Sequence, residues 1–510
     1  MSNHPHHLAS RLASSPDSGS DPRSAGAGTA AGTAAAAGVP LHAAHRGVRV
    51  FALAAVVALV LPGLSGCLSS SSSDDPAPEF DPELPGETGD PGSGETGVPV
   101  LPGETGGLPL DLRNPWSLDV DEAQSQILVA GTGDLMDPDD ASGGVQAIRW
   151  TGSGAEIEFH SELLIDDSVG TAHGKSQHAL FVGPERAYLL GYHDWQDNSL
   201  YAFDTTTGEF ERDADDGALT AIAGLDRKNI ATIARSPEGD VWVALADPAN
   251  PRIKVIDPDD DDRIVATIDD FELSPNAIAF SANKAIVAVV APDFSSAAHS
   301  VIDRQTYQLE DKGLDPDGSD LTVRATPGSE HFFRLARSQM EYVARYREQQ
   351  PESREWRKGL PDGRDTESGD PNPQDLIFVD AERAYLLLLN EDRQWRVDPS
   401  AVSAGNFLLD NAALDLSGYR ISDQPARAHA GLYIEALDLV FVSMQRWSQD
   451  GMTMNYGDAY IAAFDVSKPG AEQEVMLRRA NANANANTNA GAGSSAAAAA
   501  VEGGGVGVVE

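Results

Sequence analysis

The side chains of this chain with most chemistry in them are its histidines, a single cysteine and several acidic runs. His173, His178 and His193 fall within about twenty residues of one another, the last in Tyr192-His193-Asp194-Trp195. Neutral imidazole ligates transition metals and moves protons near neutral pH, so the three form a candidate metal or acid–base site. Solvated loop histidines are the ordinary alternative. The run Asp257-Pro258-Asp259-Asp260-Asp261-Asp262 offers the several carboxylate oxygens a hard cation requires. It lacks the glycine and the distal glutamate of a calcium loop and reads as a solvated outer turn. Asp134, Asp137, Asp139 and Asp140, between Gly133 and Gly143, form a looser cluster with the same reading. No Gly-x-Ser-x-Gly elbow, His-Glu-x-x-His pair or phosphate loop occurs, so no catalytic residue is assigned and neither a metal nor a cofactor is specified.

Composition narrows the partners. The 510 residues carry 79 acidic against 36 basic side chains, a net charge of -43 and a pI near 4.4. Nucleic acid is excluded as a partner class, because phosphate binding needs Lys and Arg to displace counterions. The charge reads as a self-repelling, soluble surface. One cysteine permits no intramolecular disulfide and no cysteine metal cluster. Stability must therefore come from a core, and the 41% hydrophobic content is enough for one large or two ordinary domains.

The first segments read as address rather than fold. Residues 1–47 are rich in Ala, Gly, Ser, Pro and His without apolar periodicity, and are expected to be disordered. Arg46 and Arg49 then flank an apolar run over residues 50–61, a signal-peptide core too short to span a bilayer core of ~30 Å comfortably. Leu64-Ser65-Gly66-Cys67 follows, and through this lipobox the chain resembles bacterial lipoproteins. The resemblance implies that residues 48–66 are a signal segment cut before Cys67, and that the Cys67 thiol takes a diacylglycerol whose acyl chains hold the chain on a membrane. Leu68, where an Asp would imply inner-membrane retention, implies sorting to the outer membrane in a Gram-negative cell. The extension ahead of the basic flank is long for such a signal, and a misassigned start codon is its expected cause. Residues 67–110 carry three Gly-Glu-Thr-Gly units, at 86–89, 94–97 and 103–106, with prolines between them, and read as an extended charged tether. Residues 480–510 read as a low-complexity disordered tail.

Between these ends, over residues 111–479, apolar runs are short, alternate with polar residues, favour Val, Ile, Tyr and Phe, and are bounded by Pro, Gly, Asn and Asp. This is an all-β pattern. The strongest runs centre on Ile127, Tyr188, Val241, Ile286, Phe332, Tyr385 and Val440, with successive gaps of 61, 53, 45, 46, 53 and 55 residues. Seven units of that size predict a β-propeller with seven blades of four antiparallel strands around a central axis. Third strands are expected to end in an apolar residue followed by Asp, as at Phe203-Asp204, Ile256-Asp257, Ile302-Asp303, Val397-Asp398 and Phe464-Asp465. There the carboxylate can accept N–H groups of the turn into the outer strand.

Lys254-Val255-Ile256-Asp257-Pro258, Arg263-Ile264-Val265-Ala266-Thr267-Ile268 and Ser274-Pro275-Asn276-Ala277-Ile278-Ala279-Phe280 resemble the YVTN-type seven-bladed propeller repeat. The likeness is good only in the third and fourth blades, and the fifth, with residues 334–357, departs furthest. Aligning the inner-strand starts, which line the channel of a propeller, sets His178, Asn276, Gln374 and His429 at equivalent places, with Trp116 in the first blade. These five are the candidate ligand contacts, a partial polar ring at the channel mouth; the alternative is that they solvate a water-filled channel. The loop from Met444-Gln445-Arg446-Trp447 to Met454-Asn455-Tyr456 is a candidate protein-contact surface, or else packs over the end of the disc.

The leading functional expectation is a binding or scaffold propeller, lipid-anchored in the cell envelope, that meets a protein or glycan partner. The runner-up is an enzyme of the kind seven-bladed propellers host, a lactonase, lyase or quinoprotein-like dehydrogenase, with its site at the channel mouth. A third possibility is an outer-membrane assembly factor.

Overall fold

A computed structural model describes residues 106–477, apart from 135–141, 151–154, 162–175, 195–196, 216, 226–228, 318–319, 327, 338–340, 361–370 and 451–452. A short strand β1 (Leu108–Pro109) precedes the first blade and lies in the stretch expected as tether. Blade one is β2 (Pro115–Asp121), β3 (Gln126–Gly131), β4 (Gly144–Trp150) and β5 (Ala155–Ser161). Blade two is β6 (Ser176–Gly183), β7 (Arg186–Asp194) and β8 (Asp197–Asp204), its outer position taken by isolated bridges such as Phe203 to Phe210. Blade three is β9 (Ile230–Arg235), β10 (Val241–Leu245), β11 (Arg252–Asp257) and β12 (Arg263–Ile268). Blade four is β13 (Ser274–Phe280), β14 (Lys284–Val290), β15 (Ala297–Asp303) and β16 (Leu309–Asp317). Blade five is β17 (Leu321–Ala325), β18 (His331–Ala336), β19 (Tyr342–Arg347) and β20 (Trp356–Gly359). Blade six is β21 (Pro373–Phe378), β22 (Ala384–Leu388), β23 (Arg393–Val397) and β24 (Leu408–Asp415). Blade seven holds β25 (Ala428–Ile434), β26 (Leu439–Met444), a hairpin of β27 (Trp447–Asp450) and β28 (Thr453–Tyr456), then β29 (Tyr460–Asp465) and β30 (Gln473–Val475).

Every pairing is antiparallel and joins sequence neighbours, except that β26 pairs with β29 across the β27–β28 hairpin and β1 pairs with β29. β1 returns to the last blade, setting Leu108 against Ile461 and Pro109 against Tyr460, while β30 covers Ala463 to Asp465 of the same strand. The outer edge of β29 is thus shared by the two ends of the domain, and the ring closes non-covalently. Leu108 is fully buried there.

The seven runs read as markers are the second strands β3, β7, β10, β14, β18, β22 and β26. Their continuous apolarity has a plain cause: successive side chains of a strand point to opposite faces, and both faces of these strands meet another blade. Ile127 and Val129 of β3 pack toward blade seven with Phe441 and Ile461. Leu128 and Ala130 pack toward blade two with Leu189 and Phe203. Repeating this gives seven apolar clusters among the described residues, one at each blade interface. The five expected turn aspartates do what their position requires. Asp204 accepts the N–H of Thr206 at 2.7 Å, Asp257 that of Asp259 at 3.0 Å, Asp303 that of Thr306 at 2.9 Å, Asp398 that of Ser400 at 2.8 Å and Asp465 that of Ser467 at 2.9 Å.

Candidate binding site at the channel mouth

Six of the seven inner strands share an irregularity close to their starts. In β2, Pro115 pairs with Gly131 and Ser117 with Ala130, which leaves Trp116 without a partner. Gln177 of β6, Ala231 of β9, Asn276 of β13 and Gln374 of β21 are passed over in the same way. In β25, His429 and Ala430 together stand opposite Ser443. Only β17 pairs without interruption. Such a bulge bends its strand and re-aims the side chain it carries. Pro115, Pro275 and Pro373 precede three of the bulges, where an absent N–H costs the ladder nothing.

The re-aimed side chains converge on a cavity of about 310 Å³ at the end of the channel where the inner strands begin. Trp116, His178, Asn276, Gln374 and His429 all line it. The register differs from the sequence alignment in one blade: the equivalent of Trp116, Asn276 and Gln374 in blade two is Gln177, and His178 is the residue after the bulge. Both reach the cavity.

Blades five and seven supply the groups that sequence reasoning missed. Arg324 of β17 donates from Nε to Asp375 of β21, and from Nη1 to Thr322 Oγ1 at 3.1 Å and to the Val323 carbonyl at 2.8 Å. Asp375 Oδ2 also accepts the Gly431 N–H at 3.1 Å, so this carboxylate joins blades five, six and seven. Arg337, just past β18, donates from Nη2 to Asp320 at 2.8 Å. Trp447, buried at the base of the β27–β28 hairpin, donates its indole N–H to Gln445 at 3.0 Å, and the Arg427 guanidinium lies 4.1 Å over its ring. Burial lowers Arg427 to about 10.

The two histidines of the ring are neutral. The His429 ring packs tilted against that of Trp116 with centroids 4.5 Å apart, and its Nδ1 lies 2.9 Å from the Trp116 carbonyl. A carbonyl only accepts, so that nitrogen carries the proton and Nε2 keeps its lone pair. Burial, then the charge of Arg337, holds His429 at about 3; burial, then Arg324, holds His178 at about 4. A general base works best with a pKa near the working pH, and these are far below it. Farther along the channel, Asp119 of β2 accepts the Phe181 N–H at 2.7 Å, and burial raises it to about 6.

The other candidates separate from this cavity. Cys67, His173, Trp195, Asp137, Asp139 and Asp140 lie outside the described residues. His193 stands near the end of β7. The acidic run after β11 is not solvated throughout: Asp262 accepts both terminal nitrogens of Arg186, at 2.7 and 2.6 Å, and the Tyr188 hydroxyl, which clamps blade two to blade three. Among the described residues no three His, Cys, Asp or Glu side chains are placed to hold a metal ion. The aromatic loop divides: Trp447 turns into the cavity, while Thr453 and Asn455 of the hairpin are exposed.

No family model matches the chain, and no curated protein matches it. Among solved structures, hydrazine synthase of Kuenenia stuttgartiensis is 12% identical with a TM-score of 0.46, over 69% of this chain and 97% of that one. The Dos1 propeller is 10% identical with a TM-score of 0.45, over 70% and 94%. Virginiamycin B lyase from Staphylococcus aureus is 10% identical with a TM-score of 0.45, over 70% and 97%. No ligand or activity passes to this chain from likenesses of that degree. Its sheet topology is that of a seven-bladed β-propeller.

Proposed function

We propose that this chain is a lipid-anchored binding module of the cell envelope that holds the end of a glycan in its channel mouth. One observation carries the ligand half of the reading: bulges in six inner strands turn side chains from separate blades into one cavity of about 310 Å³, the size of a small-molecule site. Its lining suits a sugar, because aromatic faces such as Trp116 stack on C–H groups while the amides of Asn276 and Gln374 and the Asp375 carboxylate exchange hydrogen bonds with hydroxyls. The weak basicity of His178 and His429 weighs against a lyase or hydrolase built on them.

The anchoring half rests on the lipobox and on the basic flank and apolar run ahead of it, Arg46, Arg49 and residues 50–61, which read as an export signal. In a Gram-negative cell Leu68 would favour the outer membrane, and a nucleic-acid partner is set aside on charge. Cys67→Ala is expected to move the protein from the membrane pellet to the soluble fraction of the envelope; retention in the pellet with the signal still removed would end the lipoprotein reading. On a glycan array the soluble variant is expected to bind and its Trp116→Ala derivative to lose binding. A blank array, together with crosslinking to one envelope protein through residues 446–456, would favour the protein-scaffold reading.

A further inference from the structure

We infer that the ligand presents a carboxylate and that Arg324 and Arg337 receive it, as an acidic sugar such as a terminal uronate would allow; this rests on the reading of the channel mouth as a ligand site. A guanidinium has five N–H groups. Among the described residues Arg324 uses Nε and Nη1, which leaves Nη2 without a partner, and Arg337 uses Nη2 alone. Nε of Arg337 is buried without an acceptor. Both side chains line the cavity, within reach of a ligand there.

The local charge points the same way. Asp320 and Asp375 balance the two lining arginines one for one. Arg427 adds a third positive charge behind Trp447, and its hydrogen-bond partners, Asn390 and Gln424, are neutral. The acid acting on it, Asp392, is itself bonded to Arg420. In a chain of net charge -43 the acids and arginines that line the channel mouth thus stand two against two, with Arg427 behind Trp447. His178 and His429 add none, and the arginines beside them disfavour a bound cation. A carboxylate supplies the planar pair of acceptors a guanidinium matches, whereas a phosphomonoester brings roughly -1.5 to -2 of charge beside Asp320 and Asp375.

Isothermal titration of the full chain with glucuronate, glucose and glucose 6-phosphate tests this. Glucuronate is expected to bind roughly ten- to a hundredfold more tightly than glucose, the value of charge-assisted hydrogen bonds at one carboxylate. Arg337→Gln is expected to remove that preference, read as the ratio of glucuronate to glucose affinity, and Arg337→Lys to restore part of it. Should Arg337→Gln not fold by near-ultraviolet circular dichroism, the comparison of sugars on the unaltered chain decides alone. Glucose binding as tightly as glucuronate would overturn the carboxylate and leave the glycan site standing; tightest binding of glucose 6-phosphate would also overturn it; binding of none of the three would overturn both.

Discussion

His299 is buried and His178 and His429 are half-buried in the channel mouth; all three imidazoles are held well below the usual histidine range, chiefly by desolvation. His299 of β15 has its Nε2 2.9 Å from the Pro351 carbonyl and its Nδ1 3.4 Å from Arg334, a guanidinium with no exposed surface. The sign of the linkage follows. Below pH 6.5 the unfolded chain protonates these histidines and the folded chain does not, so each one destabilises the fold as pH falls toward its lowered value. Asp119, raised to about 6, opposes them, because the folded chain keeps a proton that the unfolded carboxyl releases. Near pH 5 about two protons separate the states, which takes a few kcal/mol of stability away between pH 7 and pH 5. Relief of the overall negative charge acts on any variant equally, so the difference between wild type and His178→Gln isolates the imidazole. Wild type is expected to lose Tm against that variant as pH drops from 7 to 5, by a few degrees; parallel melting curves across that range would mean that His178 takes up its proton in the fold as readily as in the unfolded chain.

At this scale Trp116, Asn276, Gln374 and His429 were legible, because each stands at the start of an alternating run. Arg324 and Arg337 were not. An arginine in or beside a five-residue strand reads as a solvated charge, and what buries these two are carboxylates 51 and 17 residues away, Asp375 and Asp320. The same holds for Asp262, which local sequence assigns to a wet turn and Arg186 of another blade draws inward. Ion pairing across blades leaves no local pattern.

Among the elements, the second strands announced the fold because burial on both faces makes their central runs predominantly apolar. Bulges left no such mark beyond the three prolines that precede them, since one extra residue changes neither composition nor period enough to be seen. Blade five stood out in sequence for its arginines, and its structure accounts for this. It faces blade four through Arg334 of β18 and the contact of Tyr346 of β19 with His299 rather than through aliphatic groups alone, and its inner strand is the unbulged one. Where a bulged strand crosses its neighbour, space is short. A Cβ at Gly431 of β25 would lie 2.1 Å from Ile377 Cδ1 of β21 and 2.9 Å from the Phe441 carbonyl, whereas at Gly359 of β20 it would meet nothing within 4 Å. Gly431→Ala is expected to cost about 2 kcal/mol in urea unfolding and Gly359→Ala close to nothing. Equal midpoints for the two would show that β21 and β25 do not approach as closely as described.

Over the whole molecule, seven apolar interfaces are closed into a ring by one seam. Clamps at the rim reinforce the others: Tyr307 donates to Asp240 at 2.8 Å between blades four and three, and Arg383 donates to the Val466 carbonyl at 2.6 Å between blades six and seven. The seam depends instead on β1 and the buried Leu108. Removing residues 1–109 is expected to cost about 2–3 kcal/mol for that leucine alone. It should also raise hydrogen exchange at Tyr460 and Ile461 ahead of Ala463 to Asp465, which β30 still covers. Uniform protection along β29 in the truncated chain would mean that β1 is dispensable.

The placement of β1 has a mechanical side. Residues 1–105 join the domain through Gly106, whose carbonyl accepts the Leu477 N–H at 2.6 Å, so the stretch before the first blade and the stretch after the last are tied at one point. Tension arriving through the N-terminal segment therefore meets a two-residue strand before it meets any complete blade. That strand is the weakest link in series with the load: it yields first, and what it releases is the lock of the ring.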